Sequence, residues 1–427
     1  FYHLYKEKPL IEPYERVYEY DPAVESGLPL QKKTLVACFG VYPQSMQYGS
    51  AVLKNGGGRS VCTHPIARGK GYGQLVMNDA RKTMFDNEVD FSILFTGSHH
   101  FYEKQGWRGG VRPPVYFMDK GELERFLAKK EKENDKLLET LEVRPIEDAD
   151  GPALSEIYEK SLTGEFFAAH REPDFWHRHL EAKPTLKWEY FVVEKEGQLL
   201  AALRYQLRKD AQQQVVVQFY EIHPNLPISV KLGINTSEIL KRFMAFLQEE
   251  ALNEKDVLGG IEFFASQNNV VVQHLLNRGF KLINRTGWLP GTMVLITNPY
   301  SLFTKLRPEI ERRTGTGLFP KHPFWIQFDL AGEYPGGVMI DPTVNPIQIT
   351  TVQNDADFEN IRKLSPHGMI CQNVMGLTQL FAGIHKLEEC DEEDLQDLDV
   401  QFFGEGRKSV EALFLNVTFD MANLDHF

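Results

Sequence analysis

The order of apolar and polar positions divides the chain into three stretches of different texture. In the first, apolar runs at Lys33–Gly40 and Tyr48–Leu53 predict strands. Asn55, Gly56, Gly57 and Gly58 predict a hairpin turn, and Arg59–Thr63 the strand that leaves it. His64 and Pro65 end that strand. A helix from about Tyr72 to Phe85, a strand at Asp90–Phe95 and a short helix beginning near Ser98 complete a mixed β-β-α-β-α order.

From Asp119 to Leu141 the apolar residues are Leu123, Phe126, Leu127, Leu137, Leu138 and Leu141, and the residues between them are nearly all charged. That pattern predicts a solvated connecting helix and a domain boundary near Leu141. A second unit opens with a strand at Val143–Ile146 and a helix at Asp150–Ser161. Strands at Tyr190–Glu194, Leu199–Leu207 and Gln213–Ile222 follow, then a helix at Thr236–Leu252, a strand near Gly260–Ala265 and a helix near Asn269–Arg278. This order echoes the first, as a diverged duplication does. Beyond about Thr297 proline and glycine rise, strands alternate with turns, and an amphipathic helix follows at Val374–Ala382, so a third, α+β domain is expected.

Composition then narrows the function class. The 427 residues, 42% hydrophobic and 25% charged, are those of an ordinary globular protein of two or three domains. No apolar run approaches the roughly 20 residues that span a bilayer, and Phe1–Lys6 do not form a signal peptide, so a cytoplasmic location and no membrane partner are expected. The chain begins at Phe1 rather than Met, and few residues precede the Lys33–Gly40 strand, so part of domain one, acceptor-pocket walls included, is expected upstream. A net charge of −12 with short, interrupted basic clusters argues against a nucleic-acid partner. Cys38, Cys62, Cys371 and Cys390 show no CxxC spacing, so no metal is expected and the thiols read as reduced and buried.

The strongest chemical signal is VCTHPIARGKGYGQLVMNDA, Val61 to Ala80. A Walker loop would need a Gly-Lys-Ser/Thr ending, which is absent, and a dinucleotide fingerprint would need GxGxxG where Gly69, Gly71 and Gly73 give GxGxG. What remains is a strand followed by R-x-x-G-x-G opening a helix, with Arg68, Gly71 and Gly73 in place. Backbone N–H groups and a helix N-terminus in such a loop cradle a pyrophosphate, and glycines let it approach closely. The pattern resembles the pyrophosphate loop of the GNAT superfamily of acetyl-coenzyme A dependent acetyltransferases. HHFYEKQGWR, His99 to Arg108, just after the next strand, resembles the segment in which those enzymes place a tyrosine beside the thioester sulfur.

On that resemblance Tyr102 is the general acid for the leaving thiolate. Main-chain amides near Val61, Cys62 and Thr63 hold the acetyl carbonyl and pantetheine arm, and Arg68, Gly69, Lys70, Gly71, Tyr72 and Gly73 hold the diphosphate of acetyl-CoA. Two bland readings stand beside these: Tyr102 as an aromatic packed on the cofactor edge, and Cys62 as a small buried side chain rather than an acyl-carrying nucleophile. His64, His99 and His100 are minor candidates for a base.

EVRPIEDADGPALSEIYEKS (Glu142 to Ser161) and NVVVQHLLNRGFKL (Asn269 to Leu282) resemble a second GNAT domain. Where its loop should fall the chain reads HPNLPISVKLGINTSEIL, His223 to Leu240, in which Pro224 and Pro227 remove donors and no arginine-glycine pattern stands. With NVMGLTQLFAG, Asn373 to Gly383, in the third stretch, the whole resembles the Eis (enhanced intracellular survival) family: tandem GNAT folds, the second degenerate, and a sterol carrier protein-like α+β domain. The resemblance implies domains at 1–141, 142–296 and 297–427, a hexamer, and primary-amine acceptors of aminoglycoside or lysine type. It also implies that a terminal phenylalanine carboxylate, here that of Phe427, is the base for the amine. The alternative is a lipid or hydrophobic-ligand binder with relic transferase domains.

Overall fold

A computed structural model describes residues 14–20, 34–111, 114–129, 138–162, 164–171, 174–182, 189–251, 256–265, 269–286, 291–317, 319–328, 335–353, 355–414 and 417. The chain forms two compact units, one of Phe1–Val111, Trp288–Val417 and His426–Phe427, the other of Arg112–Gly287 and Thr418–Asp425. The first unit begins with β1 (Tyr14–Tyr20), β2 (Thr34–Tyr48), β3 (Ala51–Thr63), α1 (Tyr72–Asp86), β4 (Phe91–Phe95) and α2 (His99–Glu103). The second carries β5 (Pro114–Asp119), α3 (Lys120–Ala128), β6 (Glu142–Pro145), α4 (Gly151–Ser161), β7 (Phe166–Ala169), α5 (Phe175–Ala182) and β8 (Glu189–Lys195). It continues with β9 (Gln198–Lys209), β10 (Val215–Pro224), α6 (Leu226–Lys231), α7 (Thr236–Phe246), β11 (Leu258–Phe264), α8 (Val270–Asn277) and β12 (Ile283–Thr286). The chain then returns to the first unit with β13 (Thr292–Ile296), α9 (Pro299–Lys305), α10 (Arg307–Gly315), β14 (Phe324–Phe328), β15 (Gly336–Asp341) and β16 (Gln348–Val352). Its last described elements are α11 (Asp355–Arg362), β17 (Gly368–Cys371), α12 (Val374–Phe381), α13 (Glu392–Asp397), β18 (Val400–Phe403) and α14 (Gly406–Phe414). The architecture is mixed α/β, as the pattern predicts.

The first sheet of the first unit runs in the order β1-β2-β3-β4-β13, the second unit's in the order β12-β5-β11-β10-β9-β8-β6, and the last in the order β16-β15-β14-β17-β18. The strand that follows the tyrosine segment, β5, pairs antiparallel with β11 and β12 in the second unit. The edge of β4 is covered instead by β13, antiparallel over Phe91–Phe95. Local hydrophobic patterning carries no sign of this exchange, because either strand is equally apolar.

The hairpin predicted at Asn55–Gly58 is not a turn. β2 and β3 pair from Tyr48↔Ala51 through Asn55, Gly56, Gly57 and Gly58, and the chain reverses at Gly49, whose φ is 62°. The glycines are there for close approach. A Cβ on Gly56 would stand 2.8 Å from Met84 Sδ, and one on Gly58 would stand 3.0 Å from Phe39 and 3.1 Å from Leu94. Asn55 is fully buried and its side-chain oxygen accepts from Ile93 N at 3.0 Å, so a polar residue that reads as a turn former ties β3 to β4.

Helix α1 buries Val76, Met77, Ala80 and Met84, one face at helical spacing, against Ala37, Phe39 and Val41 of β2 and Leu94 of β4. Burying Val76, Met77 and Met84 contributes about 1.5–3 kcal/mol each. The connecting helix predicted from Asp119 to Leu141 begins as α3, with Asp119 as its N-cap, but stops at Ala128, where Lys129 turns extended; residues 130–137 lie outside the described residues.

Candidate active site

β3 and β4 run parallel and pair at Asn55↔Phe91 and Gly58↔Leu94, with no pair further along. On its other side β3 keeps its partner β2 as far as Ala37↔Thr63. Opposite Phe39 stand two residues, Ser60 and Val61, because Cys38 pairs with Cys62 and Gly40 with Arg59. This is a β-bulge, with Ser60 at φ 52°, and it turns the end of β3 away from β4. A strand held on one side and released on the other presents its backbone donors and acceptors along the gap. Between the released strands lies a cavity of about 820 Å³.

The loop below the gap is shaped by its glycines. A 3₁₀ turn over Pro65–Ala67 is anchored by the fully buried Ala67, which packs with Val36 and Tyr72. Gly69 and Gly71 then take φ of 76° and 85°, and nothing lies within 4 Å of where a Cβ would stand on either. Gly71 is the N-cap of α1. It supplies no side-chain cap, and the first turn contains no acidic residue. Gly71, Tyr72, Gly73 and Gln74 at the start of this 15-residue helix line the cavity wall, where the helix dipole favours an anion. Arg68 is exposed at the loop's edge, its Nε donating to Thr63 O at 3.3 Å.

Tyr102, on α2, lines the same cavity and is otherwise packed among Ala37, Phe39, Met77 and Trp107. Its ring meets Phe101 and Trp107 edge-on at 5.0 and 6.3 Å. Burial pushes its phenol above the ordinary tyrosine value, so it keeps its proton through neutral pH. Gln74 in the first turn of α1 and the buried Gln105 just past α2 form a two-way amide pair at 2.5 and 2.6 Å. That pair ties the glycine loop to the tyrosine segment.

Of the residues singled out in the sequence, Val61, Cys62, Thr63, Arg68, Gly69, Gly71, Tyr72, Gly73 and Tyr102 all line this cavity. Lys70 is exposed on the same loop. Phe427 lies outside the described residues. Cys38, Cys371 and Cys390 are buried as expected, whereas Cys62 is exposed and lines the cavity. Cys38, Phe95 and Phe101 line the cavity as well; nothing local marks the first two, and Phe101 lies within the motif around Tyr102. Cys38 and Phe95 are brought in by sheet register and by the splay, and Phe101 by its place on α2 beside Tyr102. No group of three or more metal-ligating side chains stands together among the described residues, and no described helix is long and apolar enough to cross a membrane.

The second unit is built differently at the matching point. β10 and β11 pair in parallel up to Phe219↔Phe263. Two residues on, Glu221 is held by Arg171 at 2.8 Å, Arg204 at 2.7 Å, Tyr190 Oη at 2.6 Å and His223 at 3.1 Å, all buried. Burial alone would raise the Glu221 carboxyl, but the Arg171 and Arg204 guanidiniums hold it well below the usual range. Helix α7 has a side-chain cap: Asn235 accepts from Glu238 N at 3.2 Å, and Glu238 accepts from Asn235 N at 2.7 Å. A carboxylate thus stands where an anion would have to sit.

A splayed parallel strand pair beside an uncapped, glycine-opened helix makes a cleft suited to an anionic ligand. Residues 13–110 match the model of the acetyltransferase (GNAT) domain. With that domain the chain is an N-acetyltransferase. No curated protein matches the chain in sequence. Among solved structures, a conserved protein of Enterococcus faecalis described as a probable N-acyltransferase superposes with a TM-score of 0.59 at 13% identity, covering 95% of this chain and 97% of that one. Eis1 of Mycobacterium abscessus superposes with a TM-score of 0.58 at 12% identity, covering 93% and 89%. A GCN5-related N-acetyltransferase of Anabaena variabilis does so with a TM-score of 0.57 at 10% identity, covering 89% and 84%. At these identities the likeness is one of fold.

Proposed function

We propose that the chain transfers an acetyl group from acetyl-CoA to a primary amine by direct attack. The carrying observation is the junction of three features in one cavity: the released edge of β3, the anion-ready start of α1 at Gly71, and the buried phenol of Tyr102. When bound, acetyl-CoA supplies the activated acetyl thioester. The N–H groups of the Gly69–Gly73 loop, with Arg68, hold its diphosphate, and the main chain at Val61, Cys62 and Thr63 pairs with its arm. Tyr102 gives its proton to the sulfur that leaves when the amine nitrogen has bonded to the carbonyl carbon.

Finer parts of the reading rest on resemblance. The acceptor is of aminoglycoside or lysine type, as the family resemblance implies. The three-domain division at 141 and 296, a degenerate second GNAT domain, a sterol carrier protein-like third domain and a hexameric assembly belong to the same proposal. So does the base, the carboxylate of Phe427. The capped start of α7 and the Glu221 lattice support the view that the second unit holds no coenzyme A. Calorimetry with acetyl-CoA, followed by a thiol-release assay across aminoglycosides, polyamines and lysine peptides, tests the whole. Binding heat and amine-dependent thiol release are expected; absence of both sinks it. A one-residue extension beyond Phe427 should cut turnover, and unchanged rates would remove Phe427 from the mechanism.

A further inference from the structure

We infer that Cys38 and Cys62 form a dithiol switch in the cavity wall, a modification site that takes a small disulfide as its oxidant. The two residues are directly opposed in the β2–β3 ladder, and their sulfurs lie 3.1 Å apart. Both line the cavity, Cys62 exposed and Cys38 buried behind it. The Cys38 thiol also donates to Ser60 O at 3.0 Å, on the bulge itself. The other two thiols are turned onto backbone carbonyls, Cys371 onto Asn373 O and Cys390 onto Lys386 O. An S–S bond is about 2.05 Å long, so closing this one needs a shift of about 1 Å. The bulge at Ser60 and Val61 is where a ladder absorbs such a shift.

The exchange balances. The Cys62 thiolate attacks one sulfur of the small disulfide, the S–S bond breaks, and one small thiolate leaves a mixed disulfide on Cys62. Cys38 gives up its proton and attacks the Cys62 sulfur, which expels the second small thiolate. The protein has lost two electrons and two protons, and the oxidant has become two thiols. The new bond draws β3 toward β2 at the released edge that faces the gap, and it ties back the Cys62 side chain. This consequence rests on the proposed acetyl-CoA reading, since that edge is where the cofactor's arm is placed. Binding and oxidation are then linked, and whatever factor oxidation takes from the cofactor's affinity, the cofactor takes from the oxidation equilibrium.

The full-length chain, equilibrated in glutathione redox buffers with and without acetyl-CoA, tests it by peptide mass spectrometry under non-reducing conditions. A peptide joining Cys38 to Cys62, lighter by two hydrogens and restored by dithiothreitol, is expected. Calorimetry should show acetyl-CoA binding roughly tenfold weaker after oxidation, and the redox midpoint should move by the same factor when acetyl-CoA is present. Cys38→Ser should stop at glutathione carried on Cys62. Linkage through Cys371 or Cys390, or glutathione on Cys62 with no Cys38 bond in the native chain, overturns the dithiol. Linkage with equal affinity in both states overturns the switch. Linkage with no acetyl-CoA heat in either state overturns the cofactor reading and leaves the dithiol standing.

Discussion

The starts of α1 and α7 face the same physical problem and solve it in opposite ways. Both helices begin with N–H groups that lack a partner within the helix. At α7 the protein satisfies them itself, through the reciprocal pair of Asn235 and Glu238, and closes the neighbouring strand end with Glu221, Arg171 and Arg204. At α1 the N-cap supplies no side chain, and the helix start lines the cavity behind two glycines in the left-handed region. One end has become a stable piece of core, and the other is kept ready for an anion. The contrast teaches that binding capacity here lies in what the chain omits.

The sharpest break of this comparison is chemical. Tyr102→Phe should lower kcat by about 10²–10⁴-fold while acetyl-CoA still binds, because the ring's packing against Phe101 and Trp107 survives and only the proton is lost. Full retained kcat would return Tyr102 to a packing role. The pH dependence has a fixed sign. A phenol raised by burial stays protonated up to and beyond its ordinary value of about 10, so loss of Tyr102's proton should depress kcat only above that pH. A descending limb at lower pH that survives Tyr102→Phe would point to another group.

In the second unit the same kind of change should strike stability instead. Glu221→Gln removes the buried carboxylate that Arg171 and Arg204 share, and breaking such a buried ion pair costs about 3–5 kcal/mol, read as a lower unfolding midpoint in urea. Acetyl-CoA binding by the folded fraction should be untouched. If instead Glu221→Gln abolished binding with stability intact, the functional roles of the two regions would have to be exchanged.

How much of this the sequence discloses follows from the range of the forces involved. The Arg68–Gly73 loop and its helix are legible because a left-handed bend and an uncapped start demand glycine locally, and Gly69 and Gly71 answer with positive φ. The segment around Tyr102 is legible as a motif. Gly56–Gly58 mislead for the same reason the loop does not: glycine also serves close approach, and only the distant Met84 and Leu94 show which demand is in force. The opposition of Cys38 and Cys62, the exchange of β5 for β13 and the Gln74–Gln105 pair depend on register or on contacts distant in sequence. Periodicity of one stretch holds no trace of them.

Placing a charge in the open site sharpens the contrast at lower cost. Gly71→Asp sets a carboxylate at the N-cap of α1, the place Asn235 holds in α7; no atom lies within 4 Å of its Cβ, but a side chain at φ 85° is strained. Repulsion of the diphosphate at a helix N-terminus is worth about 1–2 kcal/mol, so acetyl-CoA should bind roughly tenfold more weakly. A side chain in the left-handed region costs about 1–2 kcal/mol, so the unfolding midpoint should fall, but by less than with Glu221→Gln. Unchanged affinity measured by calorimetry would separate the diphosphate from this helix.

The smallest effect is the reverse operation. Asn235→Ala removes the side-chain acceptor that meets Glu238 N, and loss of such a cap costs about 1 kcal/mol. The uncapped α7 would then share the one property that distinguishes α1. It would still lack the rest, since Glu238 remains buried at its first turn and a residue with a side chain stands where α1 has Gly71, although Gly233 at φ 67° matches the place of Gly69. We therefore expect a slightly less stable protein whose acetyl-CoA stoichiometry by calorimetry equals that of the native chain. A second binding event in Asn235→Ala would mean that the cap alone separates the two regions, and that the glycines before α1 matter less than the empty cap they leave.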